Sequence, residues 1–293
     1  MLFAPAGDHH ADAVERAVAA RGTGSIRLDL SSAALPVTIR AGHSLRVGDS
    51  VIEAGVAVWW RRTGFLPPLP AASEEENRFR AEESEAILLG GLLSLTERWV
   101  DHPYVVMTAE HSLRQLAAAI RLGVPTPATI ATNEPGAARA FAATAQGPLI
   151  AKATSAGVGI TPYADVVDAA LFDQLRSCLT LLQHAQAASE DVRVVVIGGQ
   201  VVGWSRPRKT GHPVDWRAAD PTGETFVRRD VDGLAGYATA INADLGLRFS
   251  VQDWLVVDGE FVFLEVNPSG QWLFLDGAEA LVAGALVKVL LDD

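Results

Sequence analysis

Two rhythms of apolar and polar positions divide the chain. Alternation or a short apolar run marks a strand, while apolar recurrence at three and four residues marks a helix. These patterns predict strands at Met1–Pro5, Ser25–Leu30, Ser44–Val47, Val51–Ala54 and Gly55–Arg62, with Gly48-Asp49 closing a hairpin between the third and fourth. A helix is predicted over Ala11–Arg21, ended by Gly22. Pro67, Pro68 and Pro70 break the chain. Ser73 followed by Glu76 reads as a capping box, opening a long helix to about Trp99. Strand and helix alternate here, so this stretch is expected to be an α/β lobe.

Farther on the pattern changes. Ser112–Leu122 reads as a helix closed by Gly123, and Pro125 and Pro127 force an extended segment. Pro148–Ala153 reads as a strand, followed by a small glycine-containing loop, Thr154–Gly159. Ala164–Ala187 reads as helical. Asp191–Ile197 and Gln200–Trp204 form a hairpin across Gly198-Gly199, Leu234–Leu245 a helix, Gln252–Val257 and Glu260–Val266 a last hairpin, and Ala278–Leu291 a closing helix. Helices among hairpin strands predict α+β lobes packed around a cleft.

Composition narrows the function classes. A formal charge of −11 argues against a non-specific nucleic-acid binder. Cys178 is the only cysteine, which rules out an internal disulfide and fits a reducing, cytoplasmic setting. Its Leu175–Leu179 context reads as a buried helix face. There is no apolar run long enough to span a membrane and no signal-peptide pattern at the N-terminus. The histidines lack zinc-ligand spacing, and no Gly-x-Ser-x-Gly elbow supports a serine hydrolase.

The closing run Phe261–Trp272 carries the sharpest chemical signal. Residues two apart in a strand share a face, so Glu265 and Asn267 project together, with Phe261 and Phe263 expected behind them and Val262, Leu264 and Val266 opposite. Oxygen ligands on a strand suit a hard cation such as Mg²⁺, which bridges to phosphates. Asp253 lies on the partner strand, and parity decides whether it joins them. A two-residue turn at Asp258-Gly259 would pair it with Leu264, facing away; a bulged turn or an equivalent register shift would bring it to the same face. Lys152, inside an apolar strand, reads either as a snorkelling edge lysine or as a phosphate contact. The loop Ser155–Gly159 after it could offer backbone amides to phosphates, although it matches neither a Walker nor a dinucleotide fingerprint. Arg193 and Arg217 are either surface ion-pair partners or ligands for a carboxylate or phosphate.

Taken together, these residues resemble the ATP-grasp superfamily, and within it the ribosomal peptide maturases that make graspetides (the microviridin type). The marks run nearly the length of the chain: Asp8–Val14, Arg27–Leu30, Val58–Arg62, Phe79 and Glu83 with Trp99–Pro103, Gln115-Leu116 through Thr132-Asn133, Asp191–Arg193, Asp215–Arg217, and Phe263–Trp272. The resemblance implies an ATP-grasp fold with an N-terminal pre-ATP-grasp α/β lobe over 1–107, a small central lobe over 108–185 and a C-terminal lobe over 186–293. It implies ATP and Mg²⁺ as cofactors, with Asp253, Glu265 and Asn267 matching the Mg²⁺ positions and Lys152 a nucleotide contact. Gln183, His184 and Ala185 match the hinge that meets adenine through its backbone, and Glu190 a ribose contact. Arg193 and Arg217 match positions near the γ-phosphate and the acyl phosphate. The implied partner is a ribosomal precursor (leader–core) peptide, whose Asp or Glu side chains become acyl phosphates and then esters or amides. Arg206–Val231 is the suspected leader site. A homodimer is the base-rate assembly. One departure stands out: Ser112 replaces the usual phosphate-contacting lysine, with Arg114 or His111 as stand-ins. It keeps open a non-catalytic peptide binder, and a RimK- or glutathione-synthase-like ligase that adds a free amino acid is a separate alternative.

Overall fold

A four-stranded parallel sheet begins the chain. In the computed structural model, which describes residues 1–29, 36–61, 69–154, 165–209, 215–220 and 222–291, it has the order β2-β1-β6-β7. The strands are β1 (Leu2–Phe3), β2 (Arg27–Leu28), β6 (Val58–Trp60) and β7 (Trp99–Val100), with α1 (His9–Ala20) after β1. A meander of β3 (Val37–Arg40), β4 (Ser44–Val47) and β5 (Ser50–Glu53) packs on α2 (Glu74–Leu95), burying Leu45, Ile52, Leu88 and Leu92 together. Both halves of the capping box form: Ser73 Oγ accepts from Glu76 N and Glu76 Oε2 accepts from Ser73 N. The helix stops short of Trp99, because Thr96 turns extended and its hydroxyl takes up Val56 O and Arg98 N. That frees Trp99 and Val100 to pair with Val58 and Trp59.

The central sheet, β10-β9-β11-β8, is antiparallel. Its strands are β8 (Thr129–Thr132), β9 (Leu149–Lys152), β10 (Asp165–Val166) and β11 (Thr180–His184). Its cover is α5 (Pro135–Ala142) and a 3₁₀ segment, Ala169–Ser177. The helix predicted over 164–187 is therefore wrong. Its leucines pair as β11 between β8 and β9, and Asp168 caps the short 3₁₀ segment through Ala170 N. Cys178, expected on a buried helix face, is exposed.

The C-terminal sheet, β14-β13-β12-β15-β16, is antiparallel throughout. It comprises β12 (Glu190–Ile197), β13 (Gln200–Pro207), β14 (Val227–Arg229), β15 (Phe249–Val257) and β16 (Glu260–Asn267), with the short α6 (Trp216–Ala219) near β13. One face packs on α3 (Pro103–Ala109), α4 (Ser112–Arg121) and α7 (Asp232–Leu245), burying Val192, Val194, Trp254, Phe263 and Val266. The other packs on α1, α8 (Ala278–Leu291) and the first sheet, burying Val195, Ile197, Val251 and Trp272. Buried Asp101 ties the lobes by accepting from Arg248 N (2.7 Å) and Phe249 N (3.0 Å) at the start of β15. The Ser155–Gly159 loop, Leu30, Arg62, Pro67, Pro68 and the 210–214 and 221 portions of the suspected leader site lie outside the described residues.

Candidate active site

Between the central and C-terminal sheets lies a cleft open to solvent. One wall comes from β9 and β11 through Ile150, Lys152, Gln183 and His184; the other from β12, β15 and β16 through Asp191, Asp253, Leu255 and Glu265.

The last hairpin settles the parity question. Its turn is the tight two-residue kind: Val257 pairs with Glu260, and Asp258 and Gly259 both take positive φ (51° and 85°). An even hairpin would send Asp253 away from Glu265. The register instead shifts mid-strand: Trp254 pairs with Phe263 but Asp253 with Glu265, leaving Leu264 as the extra residue of a bulge. Asp253 and Glu265 thus face each other, and Asn267 Nδ2 lies 3.4 Å from Glu265 Oε1. The bulge also overturns the expected faces. Phe261 and Phe263 do not lie behind Glu265; they pack with Val266 on the helix side, while Leu264 and Glu265 both border the cleft.

Two contacts from far along the chain hold this register. Gln115, buried on α4, grips the backbone of Val266, donating from Nε2 to its carbonyl (2.7 Å) and accepting at Oε1 from its amide (2.9 Å). Pro125 O accepts from Phe263 N at 2.8 Å. Gln115 completes the sheet edge at the residue between Glu265 and Asn267, a role its sequence context did not reveal.

The charges are balanced across the cleft. Arg193 sits directly opposite Asp253 on β12 and donates from Nη1 to Asp253 Oδ1 at 2.6 Å. Its Nε and Nη2 both donate to Gln271 O (3.3 and 2.9 Å). Arg217 forks onto Asp215 with two 2.9 Å hydrogen bonds. Burial opposes its charge, but the Asp215 hydrogen bond and the Asp215, Asp253 and Glu265 charges outweigh burial and raise its pKa. Burial first, then the Glu265 charge, push the Asp253 carboxyl above its usual value, against the pull of Arg193 and Arg217. Lys152 reaches over from the other wall, its Nζ 3.9 Å from Glu265 Oε2.

The remaining site residues divide. Gln183 lines the cleft, its side chain held by Thr129 Oγ1 at 2.9 Å. His184 also lines it, but its amide already donates to Ala128 O, and that of Ala185, which does not line it, donates to Pro148 O. Gln186 lines the cleft just beyond. Glu190 is not among the residues lining the cleft and pairs with Arg229, while its neighbour Asp191 does line it. Asp191, which the sequence reading passed over as a ligand, faces the cleft and accepts from Arg206 Nε (3.0 Å) and Arg208 Nε (2.9 Å). His111, Ser112 and Arg114 are not among the residues lining the cleft.

Known structures share this architecture. The macrocyclase MdnC of Microcystis aeruginosa MRC, solved with its precursor peptide MdnA, is 21% identical, with 100% of this chain and 99% of that one aligned and a TM-score of 0.88. The ATP-grasp ligase PsnB, solved with a phosphomimetic variant of its minimal precursor, Mg and ADP, is 22% identical at a TM-score of 0.78, covering 99% and 97% of the two chains. The fold is ATP-grasp. The macrocyclase MdnB of the same Microcystis is similar to this ATP-grasp chain at 26% identity, TM-score 0.81 and 100% and 98% coverage. No protein-family model and no curated protein matches the chain. No helix among the described residues is long and apolar enough to cross a membrane.

Proposed function

We propose that the chain is an ATP-dependent ligase that crosslinks a ribosomal precursor peptide. The observation carrying this reading is the meeting of Asp253 and Glu265 across the β16 bulge, under Lys152 from the opposite wall, in an ATP-grasp fold like that of MdnC and PsnB.

The donor set fits Mg²⁺. Two carboxylates and an amide oxygen are hard ligands, few enough to leave room for phosphate oxygens. The raised pKa of Asp253 beside Glu265 marks a pair that an added cation would relieve. Asp253, Glu265 and Asn267 would hold the metal, which when bound neutralises charge on the transferring phosphoryl group. The apolar lining residues Ile150, Leu255 and Leu264 suit adenine. Because the His184 and Ala185 amides are taken, the hinge contact shifts from Gln183–Ala185 towards Gln186.

A peptide carboxylate is a poor electrophile. Attack of its oxygen on the γ-phosphorus of ATP forms an acyl phosphate and releases ADP. A hydroxyl or amine of the same peptide then attacks the acyl carbon, the bond from that carbon to the phosphate oxygen breaks, and inorganic phosphate leaves with the electron pair and takes up the nucleophile's proton. Lys152, Arg193 and Arg217 stabilise the phosphoryl oxygens in both steps. The cleft holds the partners together and limits hydrolysis. Within this reading the three lobes keep the 1–107, 108–185 and 186–293 division, with α4 packed on the third. The assembly is a homodimer by base rate, and the setting is the cytoplasm.

The test incubates the protein with ATP, Mg²⁺ and the precursor peptide encoded beside it, read by mass spectrometry. Loss of one water per crosslink, absent from an Asp253→Ala/Glu265→Ala variant, is the expected result. A mass gain equal to an added amino acid would instead indicate an amino-acid ligase. Peptide binding without any mass change would indicate a binding protein.

A further inference from the structure

The reaction above gives no task to Asp8, His10 or Arg61, yet these residues converge on one loop beside the cleft. Asp8 caps α1, its Oδ1 accepting from His10 N (2.9 Å) and Ala11 N (3.1 Å), while its Oδ2 accepts from Arg61 Nε (2.8 Å). Arg61, 2% exposed, extends Nη1 to the carbonyls of Ser269 and Gly270, both at 3.3 Å. Ser269 Oγ returns a hydrogen bond to Arg61 O. His10 Nε2 accepts from Trp272 N (2.9 Å) and Leu273 N (3.3 Å), and the ring meets Trp272 edge-on at 4.9 Å.

This geometry fixes the protonation of His10. A nitrogen that accepts from two backbone amides carries no proton, so the ring proton sits on Nδ1, 3.6 Å from Asp8 Oδ1. The loop is gripped on both sides of Gln271, whose carbonyl is the acceptor for two of the Arg193 donors. Gly270 is needed for the close approach: a Cβ there would lie 2.4 Å from the Val251 side chain.

We infer that Asp8, His10 and Arg61 form a positioning relay that fixes the 269–273 loop so that Gln271 O holds the second edge of the Arg193 guanidinium while its Nη1 stays on Asp253. The relay rests on the ligase reading for its consequence, but not for its geometry. With the loop released, Arg193 keeps Asp253 and loses the acceptor for its other edge, so the guanidinium drifts from the position a phosphoryl oxygen requires. None of the three relay residues is among those lining the cleft, so nucleotide binding survives while the chemical step suffers.

The experiment compares His10→Phe, which keeps a ring against Trp272 but has no acceptor, with His10→Gln, whose amide oxygen can replace Nε2. Each is measured for binding of Mg²⁺ with a non-hydrolysable ATP analogue, for turnover, and by NMR for hydrogen exchange at the Trp272 and Leu273 amides and the Arg193 Nε–H. His10→Phe is expected to change the nucleotide Kd less than about threefold and lower kcat about 10- to 100-fold. It should also speed exchange at all three protons, while His10→Gln restores most of the loss. Wild-type kcat in His10→Phe, or His10→Gln as impaired as His10→Phe, overturns the relay. If His10→Phe does not fold, Arg61→Lys keeps charge against Asp8, loses the reach to both carbonyls, and is held to the same expectations. If the wild type binds no nucleotide, the ligase reading falls, and unchanged exchange at the three protons in the variants then overturns the relay on its own terms.

Discussion

The two walls of the cleft are built to different standards. The β12, β15 and β16 wall lies within a sheet packed on both faces, with Trp254 and Phe263 against α7 on one side and Val251 against Trp272 and α8 on the other. Among the described residues, the β9 and β11 wall is covered on one face, by a small cluster of Ala138, Leu149, Phe172, Leu175 and Leu182. Its other face is the cleft. Close packing resists displacement and a thin core opens more cheaply. The proposed metal ligands Asp253, Glu265 and Asn267, with Arg193, are all on the stiff wall. Lys152, the proposed nucleotide contact, is on the light one. The difference teaches a division of labour: one wall aims and the other grips.

The largest effect that would break this comparison is at the stiff wall's carboxylates. Asp253→Ala with Glu265→Ala should lower phosphate release by about 10²- to 10³-fold or more, measured under saturating ATP. Next come matched core truncations. Trp254→Ala should cost about 3–5 kcal/mol and lower the melting of the whole chain. Leu182→Ala should cost about 2–3 kcal/mol and, by hydrogen exchange, open mainly residues 129–184. Equal global unfolding by both would erase the distinction between the walls. A smaller effect sharpens the account of the bulge. Gln115→Leu leaves the amide and carbonyl of Val266 without their buried partner and should cost about 1–3 kcal/mol in denaturant unfolding, with a loss of turnover from the shifted Glu265.

Much of this architecture was legible in the sequence. Gly198-Gly199 and Asp258-Gly259 announced their hairpins, Ser73 and Glu76 their cap, and the Ala278–Leu291 helix its full extent. What failed, failed for tertiary reasons. Thr180–His184 holds leucines that fit either rhythm, and only its neighbours β8 and β9 make it a strand. The Leu264 bulge has no local signature, because Gln115 and Pro125, both distant in sequence, hold it. Asp191, next to the ribose candidate Glu190, lines the cleft where Glu190 does not, a difference that nothing in the local sequence marks. Asp8, His10 and Arg61 were visible as marks of a family but not as one network, since the loop that joins them lies some 200 residues beyond.

A pH-dependent effect lies where the lobes are tied. Burial, against the pull of two backbone amides, raises the Asp101 carboxyl from 3.8 to about 6. The folded state then holds the proton more tightly than the unfolded one. The stability this contributes is complete below pH 3.8 and is lost as pH rises through about 6. Wild-type melting temperature relative to Asp101→Asn should therefore fall between about pH 4 and pH 7; a difference that stays flat or rises would contradict the assignment.

The division between an aiming wall and a gripping wall is tested most directly by calorimetry of a non-hydrolysable ATP analogue with and without Mg²⁺. The account predicts binding that requires Mg²⁺, disappears in Asp253→Asn/Glu265→Gln, and is weakened but still Mg²⁺-dependent in Lys152→Ala. Binding that ignores Mg²⁺, or that survives loss of both carboxylates, would contradict it.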